Sequence, residues 1–155
     1  MLHPVDAPPD VSDRPRWIGL LAASDPALLE EGFRSLEIPG FVWLRKPETG
    51  LMMIRGRIGG TGDRFNLGEI TVTRCTLRTA SGETGVSCVR GRSHRHAELA
   101  ALADAMLQSS GCAARVNALI LDPARDARER ERAQRQRKAQ ATRVDFFTLA
   151  REAAR

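Results

Sequence analysis

An α+β fold is predicted, with two N-terminal helices, a four-stranded and largely antiparallel sheet, and C-terminal helices of which the penultimate one is long and polar. Three observations predict it. The middle of the chain holds strand-like runs rich in β-branched residues, such as Ile70, Thr71, Val72, Thr73 and Thr76. Proline-marked segments with apolar residues at helical spacing come before those runs. Helical periodicity returns after Ser93 and ends in a stretch built of Ala, Arg, Gln and Glu.

Trp17, Leu20 and Leu21 repeat at helical spacing after Pro15, and Asp25 followed by Pro26 announces a second helix as N-cap and first helical residue. Leu29, Phe33 and Leu36 line its apolar face until Ile38-Pro39-Gly40 stops it. Phe41 to Lys46 then reads as a strand, Pro47-Glu48-Thr49-Gly50 as a turn, and Leu51 to Ile58 as the next strand. A glycine- and arginine-dense run follows and leads into the strand Leu67 to Thr79. Ser81-Gly82 reads as a two-residue turn joining Thr71–Thr79 to Glu83–Arg90, a register that sets Cys75 opposite Cys88 and Leu77 opposite Val86 on the core face.

Ser93 caps a helix from His94 to about Ser109, in which Leu99, Leu102, Ala103 and Met106 form an i, i+3, i+4, i+7 stripe. Val116 to Leu121 fits strand or helix. Asp122-Pro123 repeats the cap-and-proline signal and opens a helix reaching about Thr142. Between Asp122 and Arg143 that segment carries eight basic residues and four acids, a difference of +4 out of the chain's +5. A helix polar on every side is not held by its own core, so it is either solvated or spans onto another surface. Val144, Phe146, Phe147 and Leu149 then restore apolar character, which favours a docking tail built around Arg143, Asp145, Phe146 and Phe147.

With 155 residues and 42% hydrophobic content the chain suits one core. Residues 1–15, with Pro4, Pro8, Pro9 and Pro15, read as a flexible arm and 16–155 as a single domain. No basic n-region precedes an apolar run, and the longest apolar stretch is broken by Asp104, so a soluble, cytoplasmic protein without membrane contact is expected. The positive charge points to acidic partners.

The run Arg57-Ile58-Gly59-Gly60-Thr61-Gly62-Asp63-Arg64 is the first candidate site. Clustered glycines let backbone N–H groups converge on an anion, and Arg57 and Arg64 add charge-assisted donors for phosphate or phosphonate oxygens. The plainer alternative is a wide hairpin. A P-loop is excluded because no Gly-Lys-Ser/Thr follows, and a dinucleotide fingerprint because a strand follows, not a helix. Asp63 and Glu69 flank the loop and either act as bases or orient Arg64. Cys75, Cys88 and Cys112 form no CxxC pair, His94 and His96 point to different sides of a helix, and no metal site is expected. His96 reads as a structural histidine or, less well, an acid–base group.

Taken together these residues resemble the PhnG family of the bacterial carbon-phosphorus lyase system. The resemblance rests on Arg16-Trp17, Glu48-Thr49-Gly50-Leu51, Gly59-Gly60-Thr61-Gly62-Asp63-Arg64-Phe65, Gly68-Glu69, Thr73-Arg74, Gly91-Arg92, His96-Ala97-Glu98 and Arg143-Val144-Asp145-Phe146-Phe147-Thr148, in that order along the chain. It implies an accessory subunit of a core complex with PhnH, PhnI and PhnJ, which supports displacement of adenine from ATP by an alkylphosphonate to give ribose 1-alkylphosphonate 5-triphosphate. Candidate anion or partner contacts are then Arg57, Gly59, Gly60, Thr61, Gly62, Asp63, Arg64, Glu69, Arg92, His96 and Glu98. The iron-sulfur cluster and S-adenosylmethionine of the later radical step belong, by the same resemblance, to PhnJ, and this chain is expected to bind no cofactor alone. A purely architectural subunit is the second reading. Nucleic-acid binding through the arginine-rich helix is the third and weakest, since no recognised module is present and the chain has two Trp and no Tyr.

Overall fold

The computed structural model describes residues 11–141. They divide into two compact units, residues 11–124 and 125–141, with the boundary inside the last helix. A 3-10 turn at Val11–Asp13 leads into helix α1 (Arg14–Ala23) and α2 (Pro26–Arg34). Three strands follow, β1 (Phe41–Gly56), β2 (Phe65–Thr79) and β3 (Thr84–Arg90), then α3 (His94–Leu107), α4 (Ser110–Val116) and α5 (Asp122–Ala141).

The sheet has three antiparallel strands in the order β1-β2-β3, not four. Pro47-Glu48-Thr49-Gly50 does not turn the chain; β1 runs straight through it, with register irregularities between Trp43 and Arg45 and between Arg45 and Glu48. Proline has no N–H to give a ladder, so it is tolerated on an edge strand at an irregularity, and β1 is such an edge. The two predicted strands are therefore one.

The β2–β3 register also differs from the predicted one. Thr79 N donates to Glu83 O at 2.9 Å and Gly82 N to Thr79 O at 3.0 Å, closing a three-residue loop, Ala80-Ser81-Gly82, with Gly82 at φ 107°. One extra loop residue moves every partner by one position and to the other face. Cys75 thus pairs with Ser87, Cys88 with Arg74, and Leu77 with Gly85. Cys75 is buried on the inner face while Cys88, beside exposed Arg74, is half-buried on the outer one.

Inner-face residues Cys75, Leu77 and Val89 pack under α3, whose Leu99, Leu102 and Met106 are buried as predicted. The helix comes so close to β3 that a Cβ on Gly85 would overlap the Ala101 carbonyl oxygen, and Ser87 Oγ donates to Ala97 O at 2.6 Å. Such proximity buries α3 from Leu99 to Leu107 on every side, not only along its stripe. Asp25 caps α2 by accepting from Ala27 N at 2.9 Å, and Ser93 caps α3 by accepting from His96 N at 3.2 Å, both as the sequence predicts.

Val116 to Leu121 is helical. Asp122-Pro123 is no fresh start, because α4 passes through a π turn at Asn117–Leu121 directly into α5. Pro123 offers no N–H to the Leu119 carbonyl one turn back, and a widened turn relieves the ring clash. The same widening brings Leu119 O against α2, where a Cβ on Gly32 would lie 2.7 Å from it. No helix among the described residues is long and apolar enough to cross a membrane.

Candidate functional site

β3 pairs with β2 only between Val72 and Arg78, whereas β1 follows β2 out to Phe65. Beyond Val72 the sheet is therefore a two-stranded ribbon, and the glycine-rich run is its tip. Residues 57–69 are all exposed. A short 3-10 turn at Ile58–Gly60 reverses the chain, with Gly59 at φ 61° and Gly60 at φ 80°, and Gly62 N closes back on Ile58 O at 3.4 Å. Those two left-handed residues explain why glycine stands at both positions.

The tip presents Arg57, Asp63 and Arg64. Arg55 Nη2 donates to the Arg64 carbonyl at 3.5 Å, and neither the Arg57 nor the Arg64 guanidinium is engaged by a carboxylate among the described residues. Two free guanidinium groups beside exposed backbone amides suit an anion or an acidic face.

Glu69 sits midway along the ribbon opposite Met53. Arg92 lies just beyond β3, in the link to α3, and is exposed. The link is fixed by Gly91 N donating to Thr71 O at 2.9 Å. Thr71 and Phe65 are six residues apart on β2, so the link and the tip are separated by about 20 Å of extended strand. The glycine-rich tip and the Arg92 region are thus two places, not one.

His96 and Glu98 are engaged within the fold. His96 is 5% exposed, and its Nε2 lies 2.9 Å from Leu21 O; a carbonyl only accepts, so Nε2 carries the proton and ties α3 to α1. Glu98 accepts from Arg95 Nη1 at 2.7 Å on the helix surface.

His94, which the sequence reading leaves without a role, makes the more informative contact. Thr73 Oγ1 donates to Gly91 O at 2.8 Å and so accepts from Thr49 Oγ1, 3.1 Å away. Thr49 in turn accepts from His94 Nε2 at 3.1 Å. This relay stitches β1, β2 and the start of α3 at the root of the ribbon. The hydroxyls Thr49 and Thr73 were legible as motif residues, but the partner of His94 depends on β1 continuing through Pro47, which the sequence hid.

No three His, Cys, Asp or Glu side chains group as a metal site among the described residues, and Cys75, Cys88 and Cys112 stand on β2, β3 and α4 as free thiols. Burial pushes the Cys75 thiol up to about 11, with the Glu98 carboxylate adding to the rise, so it is a core group and no nucleophile. The proposed docking residues Arg143, Asp145, Phe146 and Phe147 lie outside the described residues.

The family model described as "Phosphonate metabolism protein PhnG" matches residues 12–152. A curated relative, the alpha-D-ribose 1-methylphosphonate 5-triphosphate synthase subunit PhnG of Rhizobium meliloti (strain 1021), is 49% identical over 110 residues, covering 70% of this chain and 69% of the relative. With a match across nearly its whole length and the glycine-arginine tip, the Thr49–Thr73 pair and the Trp17 helix all inside it, this chain belongs to the PhnG family.

Proposed function

We propose that this chain is the PhnG subunit of an alpha-D-ribose 1-methylphosphonate 5-triphosphate synthase, acting with PhnI and PhnH in the displacement of adenine from ATP by an alkylphosphonate. The observation that carries the reading is the family match, together with a relative at 49% identity that bears the name of that subunit. The structure supports an accessory place for it. Among the described residues the candidate contacts are spread out: the tip arginines and Arg92 are about 20 Å apart along the strand, and His96 is committed to Leu21. A reaction centre holds its acid, base and anion donors within hydrogen-bond reach of one reacting group, so the catalytic set comes from a companion chain.

In this reading Arg57, Arg64 and the amides of Gly59 to Gly62 face the triphosphate or phosphonate held by the complex, or an acidic surface of PhnI. The later radical cleavage, with its iron-sulfur cluster and S-adenosylmethionine, falls to PhnJ. Co-expression with the other subunits and assay of adenine release tests the proposal, and omission of this chain should stop release. Arg64→Ala should lower turnover by roughly tenfold or more if the guanidinium touches the anion.

The separation of the candidate groups favours one second reading, a purely architectural subunit. The two are told apart by Gly60→Ala and Arg64→Ala complexes: intact assembly with turnover lost indicates contact with the reacting groups, and wild-type turnover indicates architecture alone.

A further inference from the structure

The outer face of the sheet, opposite α3, carries no helix within residues 11–124. Register assigns its residues. Gly50 pairs with Val72 and Met52 with Ile70, while Gly56 pairs with Phe65. Arg74 belongs to the same face, since its Nη2 lies 3.5 Å from where a Gly50 Cβ would be. Between Ile54 and Arg55 the register shifts, leaving Leu67 as the extra residue of β2, and Leu67 folds over Gly56, where a Cβ would overlap its Cδ1. Gly56 thereby lets Leu67 lie flat.

The result is one continuous apolar stripe, Met52, Ile54, Phe65, Leu67 and Ile70, on a two-stranded ribbon with no layer behind it among residues 11–124. Met52 is 43% exposed, Phe65 42% and Leu67 58%. Water-facing side chains of this size, in a row, are characteristic of a surface that is covered in the working state. Toward the body the same face turns cationic, with exposed Arg74, Arg78 and Arg90. Glu48 is the acid among them, 3.6 Å from Arg74.

We propose that this outer face is the docking surface for a companion protein whose contact patch is apolar at its centre and bordered by carboxylates toward the root of the ribbon. Charge selects the occupant. A second copy of this chain would bring Arg74, Arg78 and Arg90 of both copies into one interface with too few acids to answer them, which disfavours self-association. A partner rimmed by Asp and Glu pairs those guanidinium groups while its apolar centre covers Phe65 and Leu67. The proposal rests on the subunit reading above and adds which face is used.

The test uses the full chain, alone and co-expressed with PhnI. Phe65→Asp with Leu67→Asp, and separately Arg74→Glu with Arg90→Glu, alter the face without touching the buried core, and melting temperatures within a few degrees of wild type confirm that. The expected results are a monomer on sedimentation, co-elution of wild type with PhnI, hydrogen-exchange protection of 51–56 and 65–74 in that complex, and at least about tenfold weaker association for both double variants. Dimerisation through this face, or binding of the isolated chain to phosphatidylserine vesicles through the ribbon, overturns the proposal. A complex that forms with the ribbon unprotected overturns it while leaving the subunit reading intact. Absence of any complex, with adenine release unaffected by omitting this chain, overturns both.

Discussion

Arg14 and Asp104, 90 residues apart in sequence, form a partly buried ion pair: Nη2 lies 2.8 Å from Oδ2 and Nε 3.1 Å from Oδ1. Asp104 is fully buried, yet each oxygen is answered twice, since Oδ1 also accepts from the Trp17 indole at 2.8 Å and Oδ2 from the Val86 amide at 2.9 Å. One carboxylate in the last turn of α3 thus fixes both α1 and β3. The hydrogen bond to Asp104 raises the already basic Arg14 guanidinium further.

Removing the carboxylate leaves the Trp17 indole and the Val86 amide without their acceptor and the Arg14 guanidinium with the Thr84 carbonyl but no counter-charge. Asp104→Ala should cost about 3–5 kcal/mol, the usual penalty for breaking a buried, hydrogen-bonded pair. Urea unfolding measures it, and a loss below about 1 kcal/mol would show that water replaces the carboxylate.

Gly85 and Gly59 separate packing from backbone freedom. A methyl on Gly85 meets the Ala101 carbonyl and the Ala105 Cβ, so Gly85→Ala pushes α3 off β3 and should destabilise by about 3 kcal/mol or more. Gly59 stands in open space at φ 61°, and Gly59→Ala pays only for its left-handed backbone, about 1 kcal/mol. Thermal unfolding of the two variants should rank them in that order.

The helical half of the molecule was largely legible because its signals are local. Asp25-Pro26 and Ser93 act as caps, and Leu99, Leu102 and Met106 face the core, all within one or two turns of the residues that reveal them. The sheet was less legible because its errors came from tertiary choices. Pro47-Glu48-Thr49-Gly50 has every mark of a turn, and only pairing of β1 with β2 overrides it. Ser81-Gly82 promised a two-residue loop, and the extra residue Ala80 displaced the register by one. For the candidate site, the glycine-arginine tip was visible in the residues, whereas Asp104 looked like a mere interruption of an apolar stretch, since its donors come from α1 and β3.

The cysteines check that register directly. Cys75 is 1% exposed on the inner face, whereas Cys88 and Cys112 are half-buried. A disulfide reagent at neutral pH should modify two thiols readily and the third only on unfolding, with Cys75→Ser losing the slow phase. The raised thiol also has a sign. The unfolded chain ionises near the ordinary value of 9.0 and the folded one near 11, so the contribution of Cys75 is complete below about 9 and is lost as pH rises toward 11. Cys75→Ala should remove that part of the alkaline decline.

The β2–β3 turn supplies the opposite sign. Glu83 accepts from Ser81 Oγ, and its Oε2 also accepts from Thr79 Oγ1 at 2.6 Å, so its carboxyl is held below the usual range, chiefly by Ser81 and next by Thr79. A depressed carboxylate contributes stability above its unfolded pKa and loses it as pH falls through the folded value. Glu83→Gln keeps the shape of the loop but removes the charge that both hydroxyls serve. Denaturant titrations across the acid range should therefore show a shallower decline for the variant, and the two curves should converge at low pH, where wild-type Glu83 is protonated as well. Parallel curves would mean that the hydroxyls close the loop without help from the charge, and that the register is set by the backbone bonds of Thr79 to Glu83 and Gly82 alone.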